Sequence, residues 1–189
     1  MSQKFPRMIL VISGTNREGS CSALVSAQVV EFIKDSSYAA EVELIDLVDL
    51  PSSAFSPKVY KEKPAEIQPF IDKVLSCDGM LVIVPEYNGS MPGALKYFID
   101  LLPSPESFED RPVAFIGIAS GQWAGLRAVE HLQQVFGYRN AHIYPRRVFI
   151  SAIHNKLDEH GQITDGDLVD RLQKQAQGFV DYCRKTISD

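Results

Sequence analysis

Residues 81–84, Leu-Val-Ile-Val, are apolar without interruption; Pro85 stops the run, and a helical period takes over at Leu95. An unbroken apolar run of this kind marks a strand buried on both faces, and Pro85 ends its ladder because proline has no N–H to donate. Leu95, Phe98, Ile99 and Leu102 then recur at i, i+3, i+4 and i+7, one stripe of a helix. In the polar turn between them Ser90 suits a cap, Pro92 a first helical turn, and Gly89 and Gly93 a close backbone approach. Strand, short loop and helix in that order put residues 85–90 at the carboxyl end of a buried strand.

The same unit repeats along the chain. Residues 8–12 form a short apolar run closed by Ser13 and Gly14, and Leu24, Val25, Val29, Phe32 and Ile33 follow with helical spacing. Residues 42–47 alternate in part, which suits a sheet edge, and Leu50-Pro51 ends them. Residues 51–65, with Pro51, Pro57 and Pro64, show neither period and are expected to be a loop covering a site or a subunit contact. Ile67, Phe70, Ile71, Val74 and Leu75 spell an amphipathic helix before the strand at 81–84. Beyond a polar break at 103–110, residues 113–119 give a fourth buried strand, 120–125 a small-residue turn, and Leu126, Val129, Leu132 and Phe136 a helix. Residues 141–143 and 148–150 supply a fifth strand interrupted by Pro145, and Thr164 with Asp167 resembles a capping pair before a last helix through Leu168, Leu172, Phe179 and Cys183.

Five strands alternating with five helices predict a three-layer α/β sandwich: a five-stranded parallel sheet with helices on both faces, because right-handed crossovers place them there. With the second strand at the edge the order is 2-1-3-4-5, and the loops after strands one, three and four meet on one rim. At 189 residues and 45% hydrophobic content, one domain spanning 1–189 is expected. The formal net charge of -5 offers no basic footprint for nucleic acid or an anionic membrane, so small molecules are the expected partners. Cys21, Cys77 and Cys183 are widely spaced and odd in number, the pattern of reduced thiols. The first seven residues lack a signal's apolar centre and no apolar stretch reaches the roughly 18 residues of a span, so a cytoplasmic protein is expected.

The loop after the first strand, Ser13-Gly-Thr-Asn-Arg-Glu-Gly-Ser-Cys-Ser22, joins hydroxyls, glycines and Arg17 to a helix N-terminus, where free N–H groups and the helix dipole favour a phosphate. Sharper motifs fail. Gly14 and Gly19 have the spacing of a nucleotide-triphosphate loop, but Ser20 stands where the lysine belongs, and G-x-G-x-x-G is absent. Ala27 occupies the position where a cysteine phosphatase needs arginine, so Cys21 reads as a small helix filler. Ala119, not serine, centres Gly117 to Gly121, and His131, His142, His154 and His160 show no metal spacing, so they read as surface or strand-end histidines. An anion nest, a turn carrying Tyr87 with backbone donors, and a small Ser120-Gly-Gln-Trp turn suit a planar, polar-edged, phosphate-bearing ring, a description that flavin mononucleotide (FMN) meets.

Pro85-Glu-Tyr-Asn-Gly-Ser-Met-Pro-Gly-Ala-Leu-Lys96 closely resembles the P-E-Y-N-x-S-x-P-G-x-L-K signature of the NADPH-dependent FMN reductases, flavodoxin-like proteins that include chromate, quinone and azo reductases. Gly14 to Ser20 is similar to that family's G-S-x-R-x-x-S phosphate loop, with Thr15 in the usual serine position and Ser22 where asparagine is frequent. Ser120, Gly121, Gly125 and Arg127 resemble its third loop, with Ala124 in place of a frequent glycine and a bulky Trp123 beside the expected nicotinamide entrance. The resemblance implies FMN reduced by NAD(P)H and reoxidised by a small acceptor such as free flavin, a quinone, an azo compound or chromate, with no side chain acting as acid or base. It assigns Ser13, Thr15, Arg17, Ser20 and Ser22 to the phosphate, Pro85, Glu86, Tyr87, Asn88 and Ser90 to the ring, and Ser120 and Gly121 beside it. Glu86 is expected to offer only backbone, and Lys96 to be a solvated helix residue. A homodimer or homotetramer is also implied, with 51–65 as the contact. Two other readings stay open: an electron carrier like flavodoxin, to which Arg17 and the modest acidity are less suited, and a flavin-binding regulatory protein without turnover.

Overall fold

The computed structural model of the chain describes residues 6–36 and 41–187; residues 1–5, part of the stretch read for a signal, lie outside them. Strands β1 (Met8–Ser13), β3 (Gly79–Pro85) and β4 (Pro112–Ile118) are buried at every position, as their apolar sequences require. With the edge strand β2 (Glu41–Asp46) and two short strands, β5 (His142–Ile143) and β6 (Val148–Ile150), they form a parallel sheet. Its order is β2-β1-β3-β4-β5, the flavodoxin-like arrangement, with β6 also paired to β4.

The interrupted fifth strand is two pieces because each end pairs with a different part of β4: His142 and Ile143 with Pro112 and Val113, and 148–150 with 116–118. Where the ladder breaks, the Phe115 carbonyl accepts instead from Gln175 Nε2 at 2.8 Å, and the same amide donates to the Arg146 carbonyl at 3.1 Å. A buried carbonyl left alone there would be costly, so the last helix supplies what the missing strand residues do not.

Strand periodicity divides the apolar residues between two cores. Met8, Leu10 and Ile12 with Met80, Val82 and Val84 face helices α2 (Gln68–Ser76), α3 (Gly93–Leu101) and α4 (Leu126–Tyr138). Ile9, Val11, Leu81 and Ile83 face α1 (Cys21–Lys34) and α5 (Gly166–Ile187). Both faces are therefore covered, and the central strands are open at their ends. Among the described residues no helix is long and apolar enough to cross a membrane.

Three local expectations need correction. Residues 51–65 are not an unstructured loop: short 3₁₀ turns at Ser52–Phe55, Pro57–Tyr60 and Ala65–Ile67 bury Ala54, Val59 and Ile67. Their three-residue repeat escapes a search for a 3.6-residue period. Phe55 stays exposed and stacks on Tyr97 at 5.2 Å between centroids. Asp165, not the pair Thr164 and Asp167, caps α5 by accepting from the Leu168 N–H at 3.1 Å. Ser90 caps nothing, because α3 begins at Gly93 with Pro92 in the cap position and no side-chain bond.

Candidate functional site

A cleft of ≈ 560 Å³ opens where the carboxyl ends of β1, β3, β4 and β6 meet. The first loop contributes Arg17, Gly19, Ser20, Cys21 and Ser22 to its wall. Ser20 is the N-cap of α1 and accepts from the Ala23 N–H at 3.2 Å, while the N–H groups of Cys21 and Ser22 have no backbone or side-chain oxygen acceptor among the described residues. Arg17 is exposed and makes no ion pair among the described residues, so its charge adds to the positive end of the helix dipole. Free donors, a dipole and a guanidinium are the features with which a helix N-terminus can receive an anion.

Ser13 and Thr15 lie beneath that wall rather than on it; both are fully buried. The Ser13 hydroxyl has no partner among the described residues. Thr15 Oγ1 lies 2.8 Å from the Tyr87 hydroxyl and accepts from the Arg17 N–H at 3.3 Å, so it ties the first loop to the second. Gly14 makes this approach possible: its N–H donates to the Ile83 carbonyl at 2.9 Å, and a Cβ there would stand 2.5 Å from the same oxygen.

The second loop supplies Pro85, Glu86 and Tyr87 to the cleft. Asn88 and Gly89, at φ 51° and 76°, form a tight turn of the type that Asn-Gly favours, and Tyr87 and Ser90 exchange backbone bonds of 2.8 and 3.0 Å across it. With the Glu86 N–H donated to the Ile118 carbonyl at 3.0 Å, the donors left in this loop are the N–H groups of Asn88 and Gly89. Ser90 Oγ is 2.8 Å from His131 Nδ1 on α4, which anchors the turn from behind. Glu86, expected to offer only backbone, has its N–H spent on Ile118; its side chain lines the cleft, and its Oε2 is buried with no hydrogen-bond partner among the described residues.

From the third loop Ser120 lines the cleft, and Gly121 sits beside it in open space, with no atom within 4 Å of where a Cβ would be. Trp123 is 60% exposed and does not reach the lining. A fourth segment, missed in the sequence, completes the cleft with Ile153 and His154. It follows β6, turns at Ala152 with φ 49°, and is bound to the rim by the Ile153 N–H donating to the Ala119 carbonyl at 3.1 Å. Gln28 of α1 clamps the chain beyond it, its amide exchanging two 2.9 Å bonds with the backbone of Ile163. The signal for this wall was its place after the last strand, on the same rim as the other three loops.

Cys21, read as a small helix filler, packs against the core and also lines the cleft, with Sγ 3.3 Å from Nδ1 of His154, which is exposed as expected. Burial pushes its thiol up, against the opposing pull of its own N–H and of Arg17. Lys96 is spent on Asp100 at 2.7 Å, away from the cleft. Among the described residues no three His, Cys, Asp or Glu side chains are placed to hold a metal.

Comparison with known proteins gives one direction. The profile of the family described as NADPH-dependent FMN reductase matches residues 7–155. An NAD(P)H-dependent FMN reductase of Pseudomonas aeruginosa is 28% identical over 181 residues, covering 94% of this chain and 95% of its own. A quinone reductase of Escherichia coli is 27% identical over 191 residues, covering 98% of each. Among solved structures, the flavoenzyme NAD(P)H:(acceptor) oxidoreductase of Paracoccus denitrificans aligns with a TM-score of 0.77 at 24% identity, over 95% of this chain and 98% of that one, a likeness of fold.

Proposed function

The chain belongs to the NADPH-dependent FMN reductase family, and from that premise we propose that it holds FMN in this cleft and passes electrons from NAD(P)H to a small acceptor of the quinone class. It is an NAD(P)H-dependent flavoenzyme, so FMN is its cofactor and a reduced nicotinamide its donor. One observation carries the placement: the N–H groups of Cys21 and Ser22, unpaired among the described residues, stand with Arg17 in the wall of the cleft.

These residues fit the cofactor's chemistry. The Cys21 and Ser22 N–H groups, with Arg17 and the hydroxyls of Ser20 and Ser22, would hold the phosphate. The Glu86 carboxylate would accept from the ring's N–H edge, Asn88 and Gly89 would donate to its acceptors, and Tyr87 and Ser120 would border it with Gly121 leaving room. Thr15 and Ser90 would act from below and behind, through Tyr87 and His131, with Ser13 buried beneath them and Pro85 in the lining. When bound, FMN supplies the hydride-accepting chemistry, and the protein supplies position and exclusion of water.

Mixing the flavin-loaded protein with NADPH in the absence of oxygen should bleach the flavin's visible band within seconds. A flavin band that persists would remove the reductase and leave an electron carrier.

A further inference from the structure

The cleft contains one reactive group that cofactor binding leaves unused. Cys21 opens α1, lines the cleft and is only part-buried, whereas Cys77 and Cys183 are 4% and 0% exposed. Its Sγ lies 3.3 Å from Nδ1 of His154, an exposed ring on a segment whose backbone is anchored at Ile153 and, beyond it, at Ile163. Two segments separated by more than a hundred positions are thus built to face each other inside the cavity.

A thiol buried in this way stays protonated at neutral pH, because desolvation outweighs Arg17 and the local N–H. Its attack on an electrophile therefore requires a base at hand, and His154 Nδ1 is within hydrogen-bond reach of the S–H. Arg17, at the same end of the cleft, stabilises the negative charge that develops on sulfur.

We propose that Cys21 and His154 form a thiol-modification site for soft, planar electrophiles of the quinone or enone class, and that the adduct closes the cleft to the cofactor. The sulfur bonds to the electrophile's β-carbon as its C=C π bond breaks. The S–H proton passes to His154 Nδ1 and from there to the carbonyl-bearing fragment, so no oxidant or reductant is consumed. Molecules of the class proposed as acceptors would then inactivate protein that has lost its flavin and spare protein that is loaded. The location of the flavin rests on the functional reading above; the reactivity of the pair does not.

N-ethylmaleimide added to the full-length protein, followed by peptide mass mapping, tests this, with Cys77 and Cys183 as internal references. In flavin-free protein Cys21 should be labelled first, and His154→Gln should slow its labelling about tenfold with the fold preserved by circular dichroism. Labelling of Cys21 no faster than the two buried thiols, or unchanged by His154→Gln, overturns the pair. A separate fluorescence titration reports FMN binding: labelled protein should no longer bind it, and undiminished binding after labelling overturns the blocking role. Failure of the unlabelled protein to bind FMN would strike the cofactor reading alone, because the rate ratio still decides the pair.

Discussion

Arg17→Ala should weaken FMN binding by roughly tenfold to a hundredfold while leaving riboflavin, which has the same ring and no phosphate, nearly unchanged. Arg17 is the one side-chain cation in the cleft's first wall, beside the free N–H groups of Cys21 and Ser22. A guanidinium on a phosphate makes a charge-assisted bond roughly twice as strong as a neutral one, and the helix dipole cannot replace it. Parallel fluorescence titrations of the two ligands measure the difference. Equal losses for both would mean that Arg17 acts on the ring or on the loop, and the phosphate would have to be placed elsewhere.

Gly125→Ala should lower stability by about 2–4 kcal/mol and the melting temperature by roughly 5–15 °C. Gly125 precedes α4 at φ +82°, and a Cβ there would stand 2.7 Å from the Ile118 nitrogen and 3.0 Å from the Gly117 backbone. No flexible side chain can give way, so the third loop would lift from β4 at the floor of the site. Gly19→Ala is the control: φ is +60°, but nothing lies within 4 Å, so strain alone should cost about 1 kcal/mol. Thermal unfolding of both variants separates clash from backbone strain; matching losses would show that the approach at Gly125 is not tight.

The sheet was legible because its central strands leave no choice. Residues 8–13, 79–85 and 112–118 are buried on both faces, and only a doubly covered parallel sheet accommodates such runs. The order and the meeting of three loops followed from connection rules. What escaped depends on contacts distant in sequence. Nothing near Glu86 announces that its N–H is taken by Ile118, which frees the turn to present Asn88 and Gly89 instead. The pairing of Thr15 with Tyr87 joins residues 72 apart, and the segment of His154 is tied to the rim by the Ile153 N–H on the Ala119 carbonyl, a contact invisible until β6 meets the third loop. Side chains read as phosphate contacts from a motif thus divide into a wall that lines the cleft and a floor buried beneath it.

The direct test is a crystal structure of the protein with FMN bound. The expected electron density places the phosphate within hydrogen-bond distance of the Cys21 and Ser22 N–H groups, with the ring against Tyr87 and beside Glu86. Density for the flavin at any other surface, or with its phosphate turned toward Ser120, would contradict the placement on which the proposed chemistry stands.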